Sequence, residues 1–366
     1  MTRALDPIDS KSAPRRAAAL ASLAIALVVT ACGGGTATPT TALPTALTLV
    51  SAVPGATALP ERSPTPQSSV PGATSTALTP SPSAAPWPIG RLVYGRFDAR
   101  GVTPFTSNTD GTDERQLLPP HAEGPRWAPD GTKLSVVASN SQGLIFAGTV
   151  NPDGSDYVQF ESTDPTLNLG CFAWSPDGTR LACEGWDDTD PTRNGIYTVR
   201  STDGGDLIRI TEAPEDRHDI PGDYTLDGSQ IIFCRSNPEP DETGDDSHLM
   251  VVKLDGSDEH QLSDQPMGGG RLSPDGTTIL TDSGSTLTLV PVGGGQATPI
   301  QIADAPNGIA FEGAWSVDGE WIVFSLHPSN APHSDIYVMR KDGTDPRQVT
   351  HTPIADEEFA DWAPAP

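Results

Sequence analysis

Within this 366-residue sequence a five-residue pattern returns at intervals of 43 to 50 residues. It reads Trp127-Ala128-Pro129-Asp130-Gly131, Trp174-Ser175-Pro176-Asp177-Gly178, Tyr224-Thr225-Leu226-Asp227-Gly228, Leu272-Ser273-Pro274-Asp275-Gly276 and Trp315-Ser316-Val317-Asp318-Gly319, with a final Trp362-Ala363-Pro364. Periods of this length mark solenoids, propellers and arrays. Each Asp-Gly is followed by a short β-rich run, such as Leu134-Ser135-Val136-Val137 or Trp321-Ile322-Val323-Phe324. Asp-Gly between two such runs makes a hairpin, because Gly takes positive φ freely and Asp bonds the local backbone. A second turn follows in every unit, at Asp110-Gly111, Asp153-Gly154, Asp203-Gly204, Asp255-Gly256, Gly293-Gly294 and Asp342-Gly343. Six units of about four strands have the size of propeller blades. The expected fold class is therefore all-β, a six-bladed β-propeller over 89–366. A long helical bundle is excluded, since 37 prolines and 36 glycines would break it repeatedly.

The ends of this repeat region complement each other. The Trp362 strand has no hairpin partner after it, and Ile89-Gly90-Arg91-Leu92-Val93-Tyr94 is a partner strand with nothing before it. The last blade is expected to take its inner strand from the C-terminal segment and three strands from 90–118, which leaves no open sheet edge. Strand order also sorts the loops. Every Asp-Gly turn falls on one uniform face, where Asp110, Asp130, Asp153, Asp177, Asp203, Asp227, Asp255, Asp275, Asp318 and Asp342 read as turn formers without chemistry. Longer, irregular loops fall on the other face, where function usually resides.

The Trp-Ser-Pro-Asp-Gly repeat resembles that of the TolB-like β-propeller family, over essentially all of 90–366. The resemblance implies the fold and says little about function. TolB itself carries an α/β domain before its propeller. Here different segments stand in that place, so the family's Tol–Pal partners are not carried over.

Residues 1–31 carry Arg3, Lys11, Arg15 and Arg16, then the run Ala17 to Ala31, too short to span a bilayer comfortably. This reads as a secretory signal. Val29-Thr30-Ala31-Cys32 resembles a bacterial lipobox, which implies a lipidated Cys32; an ordinary signal with an incidental Cys is the other reading. Residues 32–88 then form a stalk of Thr, Pro, Ala, Ser and Gly with Glu61 and Arg62 as its only charges. Such a segment cannot bury enough apolar surface to order itself. Extended, its ~55 residues would reach about 170 Å; as a flexible coil, about 40 Å.

On the irregular face, the residues just before each repeat Trp are expected to ring the channel mouth: His121, Glu123, His218, Asp219, Glu312, Asp356, Glu357 and Glu358. Trp186, Asp187 and Asp188 join them from a loop. Three readings of this face stay open: a solvated acidic rim, a docking surface for a basic partner or cationic ligand, and a divalent-metal site. Carboxylates suit Ca²⁺, and His with carboxylate suits Zn²⁺ or Mn²⁺, but no EF-hand loop or H-x₃-H pair occurs. No resident cofactor is expected. Cys171 and Cys183 flank one Asp-Gly turn at nearly matching distances, so a disulfide and a pair of buried thiols are both open, with Cys234 left over.

The sequence has no G-x-S-x-G elbow, Walker loop or G-x-G-x-x-G cradle. Its formal net charge of −26 argues against nucleic acid as a partner. The expected function is that of an extracytoplasmic lipoprotein, anchored to a bacterial membrane by its lipid alone. Its monomeric propeller would bind a protein or small ligand of the cell envelope without catalysis. The membrane side, whether periplasmic, outer-membrane or cell-surface, stays open. The alternative is a metal-assisted enzyme acting on a glycan or lactone at the channel mouth.

Overall fold

Successive strand residues point to opposite faces, and in this chain both faces are apolar. Ile231 and Phe233 enter one buried layer while Ile232, between them, enters the next. Leu92 and Tyr94 divide from Val93 in the same way. Sheets of this kind are stable only when covered on both sides, and a ring of sheets covers each by its neighbours.

The computed structural model describes residues 86–139, 144–160, 164, 166–237 and 246–363. The expected signal segment, Cys32, the expected stalk before Pro86 and the acidic segment 238–245 lie outside the described residues. The described chain forms six antiparallel sheets of four strands. The first blade comprises Ala122–Trp127, Leu134–Ser139, Ile145–Val150 and Val158–Gln159; the second, Asn168–Trp174, Arg180–Trp186, Gly195–Arg200 and Ile208–Arg209. The third comprises His218–Tyr224, Gln230–Ser236, His248–Lys253 and His260–Gln261; the fourth, Arg271–Leu272, Thr278–Ser283, Thr286–Pro291 and Thr298–Pro299. The fifth comprises Gly308–Trp315, Trp321–Pro328, Asp335–Arg340 and Arg347–Gln348. The sixth is discontinuous in sequence: Asp356–Trp362 pairs with Arg91–Asp98, followed by Gly101–Asn108 and Arg115–Gln116. The first-named strands of all six blades touch one another around a closed ring. They are the inner strands. The expected closure is therefore the observed one, with Leu92 opposite Trp362 and Val93 opposite Asp361.

The core is not one continuous mass. It is six apolar layers, each built from two adjacent blades. Cys171 and Cys183 face each other across the second-blade hairpin and are joined in a disulfide. Cys234 is buried outside the disulfide, its thiol donating to the Met267 carbonyl at 3.6 Å. Every expected turn aspartate accepts the amide of the residue two positions on, as Asp177 does from Thr179 and Asp318 from Glu320. The Ser175 and Ser316 hydroxyls, and then these amides, hold the Asp177 and Asp318 carboxyls below their ordinary range.

Two features of the inner strands were not legible. The pairing register slips in five of the six blades, between Val93 and Gly95 opposite the sixth blade's inner strand and at 123–126, 171–173, 221–223 and 311–314. These are β-bulges, which bend a strand and re-aim its side chains. The inner strands of the third and fourth blades also approach so closely that a Cβ on Gly222 would collide with the Gly270 backbone, meeting its nitrogen at 2.7 Å. Gly178 has positive φ and open space around it. We therefore expect Gly222→Ala to lower stability by at least about 2 kcal/mol through overpacking, and Gly178→Ala by only about 1 kcal/mol through backbone strain. Urea denaturation of the two variants checks the order.

Candidate functional site

Inner strands begin on the irregular face and end at the Asp-Gly face, so the residues singled out in the sequence belong to the irregular half of the ring. Several of them, however, are consumed by the fold. Asp219 is fully buried and accepts two bonds from Arg235, at 2.7 and 2.8 Å, and one from Thr211. Glu357 is fully buried against Arg96 at 2.7 Å and also accepts from Thr352. His218 pairs with buried Glu184 of the second blade. Asp187 is buried, binding Arg193 at 2.7 Å and the Thr166 and Thr189 hydroxyls. Trp186 lies in a small apolar cluster with Val137, Ile145 and Phe172 rather than in solvent. Breaking such buried pairs leaves an uncompensated charge, so these residues tie blades and loops together.

The rest divide by depth. His121 and Asp188 are exposed. His121 holds positive φ, with its ring beside Gly101. Asp356 accepts from the Ser334 amide at 2.8 Å and faces His333 at 3.2 Å. Glu123, Glu312 and Glu358 come from the inner strands of three blades. Burial pushes the Glu123 carboxyl up to about 7. Burial, with the Asp356 charge adding, does the same to Glu358, also to about 7. Glu312 is raised well above the carboxylate range by burial and then by Glu358; one of its oxygens accepts from the Phe359 amide at 2.8 Å.

Deeper along the axis lies a second group that the sequence reading passed over. Arg126, Asp223, Arg271 and Asp361 each stand immediately before the repeat position of their blade, where the other two blades have Ala173 and Ala314. Asp361 accepts from the Trp127 amide of the neighbouring blade and from Arg271, both at 2.8 Å. Asp223 accepts from the Leu272 amide of its own neighbour at 3.1 Å. A charged residue one position before the repeat residue was the available signal. Arg126, Asp223 and Arg271, with Trp127, Phe172 and Trp174, line a cavity of about 90 Å³ at the Asp-Gly end.

Solved structures share this ring of sheets. TolB of Acinetobacter baumannii aligns with a TM-score of 0.60 and 18% identity over 75% of this chain and 67% of that one. The fold is a TolB-like propeller. A putative TolB of Agrobacterium tumefaciens aligns at TM-score 0.53 and 16% identity, over 75% of this chain and 99% of its own. A chain of the nidogen–laminin complex aligns at 0.55 and 9% identity, over 74% and 98%. At these identities the likeness is one of fold. No family model and no curated protein matches the sequence.

Among the described residues, no group of three or more His, Cys, Asp or Glu is placed to hold a metal ion, and no helix is long and apolar enough to cross a membrane. The carboxyl groups at the mouth also bear on stability. Because Glu123 is raised in the folded state, its favourable contribution is complete below its unfolded value near 4.5 and is lost as pH rises through about 7. Glu123→Gln should therefore stabilise the protein by roughly 1–3 kcal/mol at pH 8 and by almost nothing at pH 4.5. Thermal melts across that range measure the difference; an equal effect at both pH values would refute it.

Proposed function

We propose that this chain is an extracytoplasmic lipoprotein, anchored through Cys32 and the 33–88 stalk, whose monomeric propeller binds a protein partner through its irregular face without catalysis. The observation that carries the reading is where the chain enters the ring. Arg91 lies beside Trp362, at the Asp-Gly end of the sixth blade, and Trp87 packs over Arg347 at 5.2 Å just before it. A tether attached there joins the ring at its Asp-Gly end, so the irregular face is not the point of attachment. That face carries exposed carboxylates on neighbouring loops: Asp190, Glu212, Glu215 and Asp216. Glu212 is 87% exposed and Asp216 74%, each with its nearest arginine only at 3.8–3.9 Å. Beside such groups a basic partner gains in encounter rate and register. The Cys171–Cys183 disulfide fits an oxidising compartment.

Two experiments test the parts separately. Cys32→Ala should move the protein from the membrane to the soluble fraction, and continued retention would refute the anchor. Reversing Glu212, Glu215 and Asp216 to Lys should cut cross-linked capture of a partner from intact cells at least about fivefold and flatten its salt dependence. Unchanged capture would count against the acidic face.

A further inference from the structure

The axial cavity at the Asp-Gly end is the feature the proposed loop-face function leaves unused. Two bulges shape its wall, because Phe172 and Gly222, the extra residues in the second and third inner strands, both line it. Its polar lining is Arg126, Asp223 and Arg271, with the indole edges of Trp127 and Trp174. Three of these groups are accounted for. Arg271 binds Asp361 at 2.8 Å and lies 4.0 Å from Asp223. Asp223 accepts two amides, and the Trp174 indole donates to the Arg126 carbonyl at 3.2 Å.

Arg126 and Trp127 are different. Among the described residues, no carboxylate lies within 4.0 Å of the Arg126 guanidinium. Its bonds go to the carbonyls of Pro125 and Phe359, at 3.3 and 3.1 Å, and its Nε is buried with no partner. The Trp127 Nε1 is also buried without a partner, in a side chain that is 9% exposed. In the second and fifth blades the matching indole donates to the carbonyl one position before the preceding blade's repeat residue. Trp127 does not make that bond. Both orphan atoms are donors on residues that line the cavity, and a buried donor left unmade costs about 1–3 kcal/mol. Two guanidiniums, Asp223 and Asp361 leave the local charge balanced. Direction therefore selects the ligand more than field does: it must be an acceptor, and a carboxylate makes short, charge-assisted and often bidentate bonds to a guanidinium.

We infer that this cavity is a binding site for a carboxylate group, held by the Arg126 guanidinium with the Trp127 indole. The volume of about 90 Å³ suits an acetate-sized group. Pro129, exposed at the rim, also lines a second hollow of about 180 Å³ with Asp130, Pro176, Asp177 and Gly178. The carboxylate therefore belongs either to a free small acid or to the C-terminus of a peptide lying along that hollow. Asp130 and Asp177 keep their charge on the turn amides and hydroxyls they accept from.

The test uses the full chain with ¹⁵N-labelled indoles, titrated at constant ionic strength and pH 7 with acetate, with sulfate, and with a tripeptide in free-acid and amidated forms. Saturable movement of the Trp127 indole signal by acetate, with a Kd on the order of millimolar, is expected. If the free-acid peptide binds at least about tenfold tighter than acetate while its amide does not bind, the ligand is a peptide terminus; equal affinity for both acids makes it a free acid. Arg126→Gln should abolish the response. Should that variant fail to fold, Trp127→Phe keeps the guanidinium, and acetate binding read on the Trp174 indole should weaken severalfold. No saturable shift with any carboxylate, or sulfate and amide acting as well as acetate, overturns the proposal. Neither result bears on partner capture by the opposite face.

Discussion

The carboxylate of Asp361, in the closing inner strand, accepts from the Trp127 amide of the first blade and from the Arg271 guanidinium of the fourth. It thereby ties the closing blade to its neighbour and across the axis in one buried group. The strand that carries it is zipped to Arg91–Asp98 from Leu92–Trp362 to Phe97–Asp356. None of the six apolar layers belongs to a single blade, so opening the ring would expose the layers on both sides of the sixth blade. At about 25 cal/mol per Å² of apolar area, that is a cost no exposed loop contact could offset. Closure is the condition on which the other blades depend.

The same economy of the ring decides what remains for binding. Carboxylates near the start of an inner strand meet arginines on adjacent strands, as Asp219 meets Arg235 within one blade and Glu357 meets Arg96 across the closing pair. Once paired they are structural. The bulges then turn other inner-strand residues toward the axis, where Glu123, Glu312 and Glu358 share one end and Arg126, Asp223 and Arg271 the other. The axis is thus a graded polar column, and the exposed charge lies farther out on the loops.

The fold was legible because its cause is local and repeated. An Asp-Gly turn needs only two residues, and a period of 43 to 50 residues fixes the blade count. Closure could be read from two complementary unpaired strands. The site was less legible. A bulge is one extra residue whose position is chosen by packing across the axis, so nothing near Phe172 or Gly222 marks it in advance. The partner of Glu357 lies 261 residues away, beyond any local pattern. Trp186 looked like a loop aromatic beside acids, yet it fills the gap between two blades with Phe172. On the uniform Asp-Gly face the aspartates do form the expected turns, but that regularity hid the arginines just below them.

Native-state hydrogen exchange on the full chain examines the closure most directly, comparing the amides of Trp127 and of Leu92, Val93 and Trp362 with those of the third blade's inner strand. If the ends of the chain complete the ring, the closing amides exchange only through global unfolding, with the same free energy and denaturant dependence as Asp219–Tyr224. Exchange of the closing amides through a cheaper opening, while the third blade stays protected, would contradict the account.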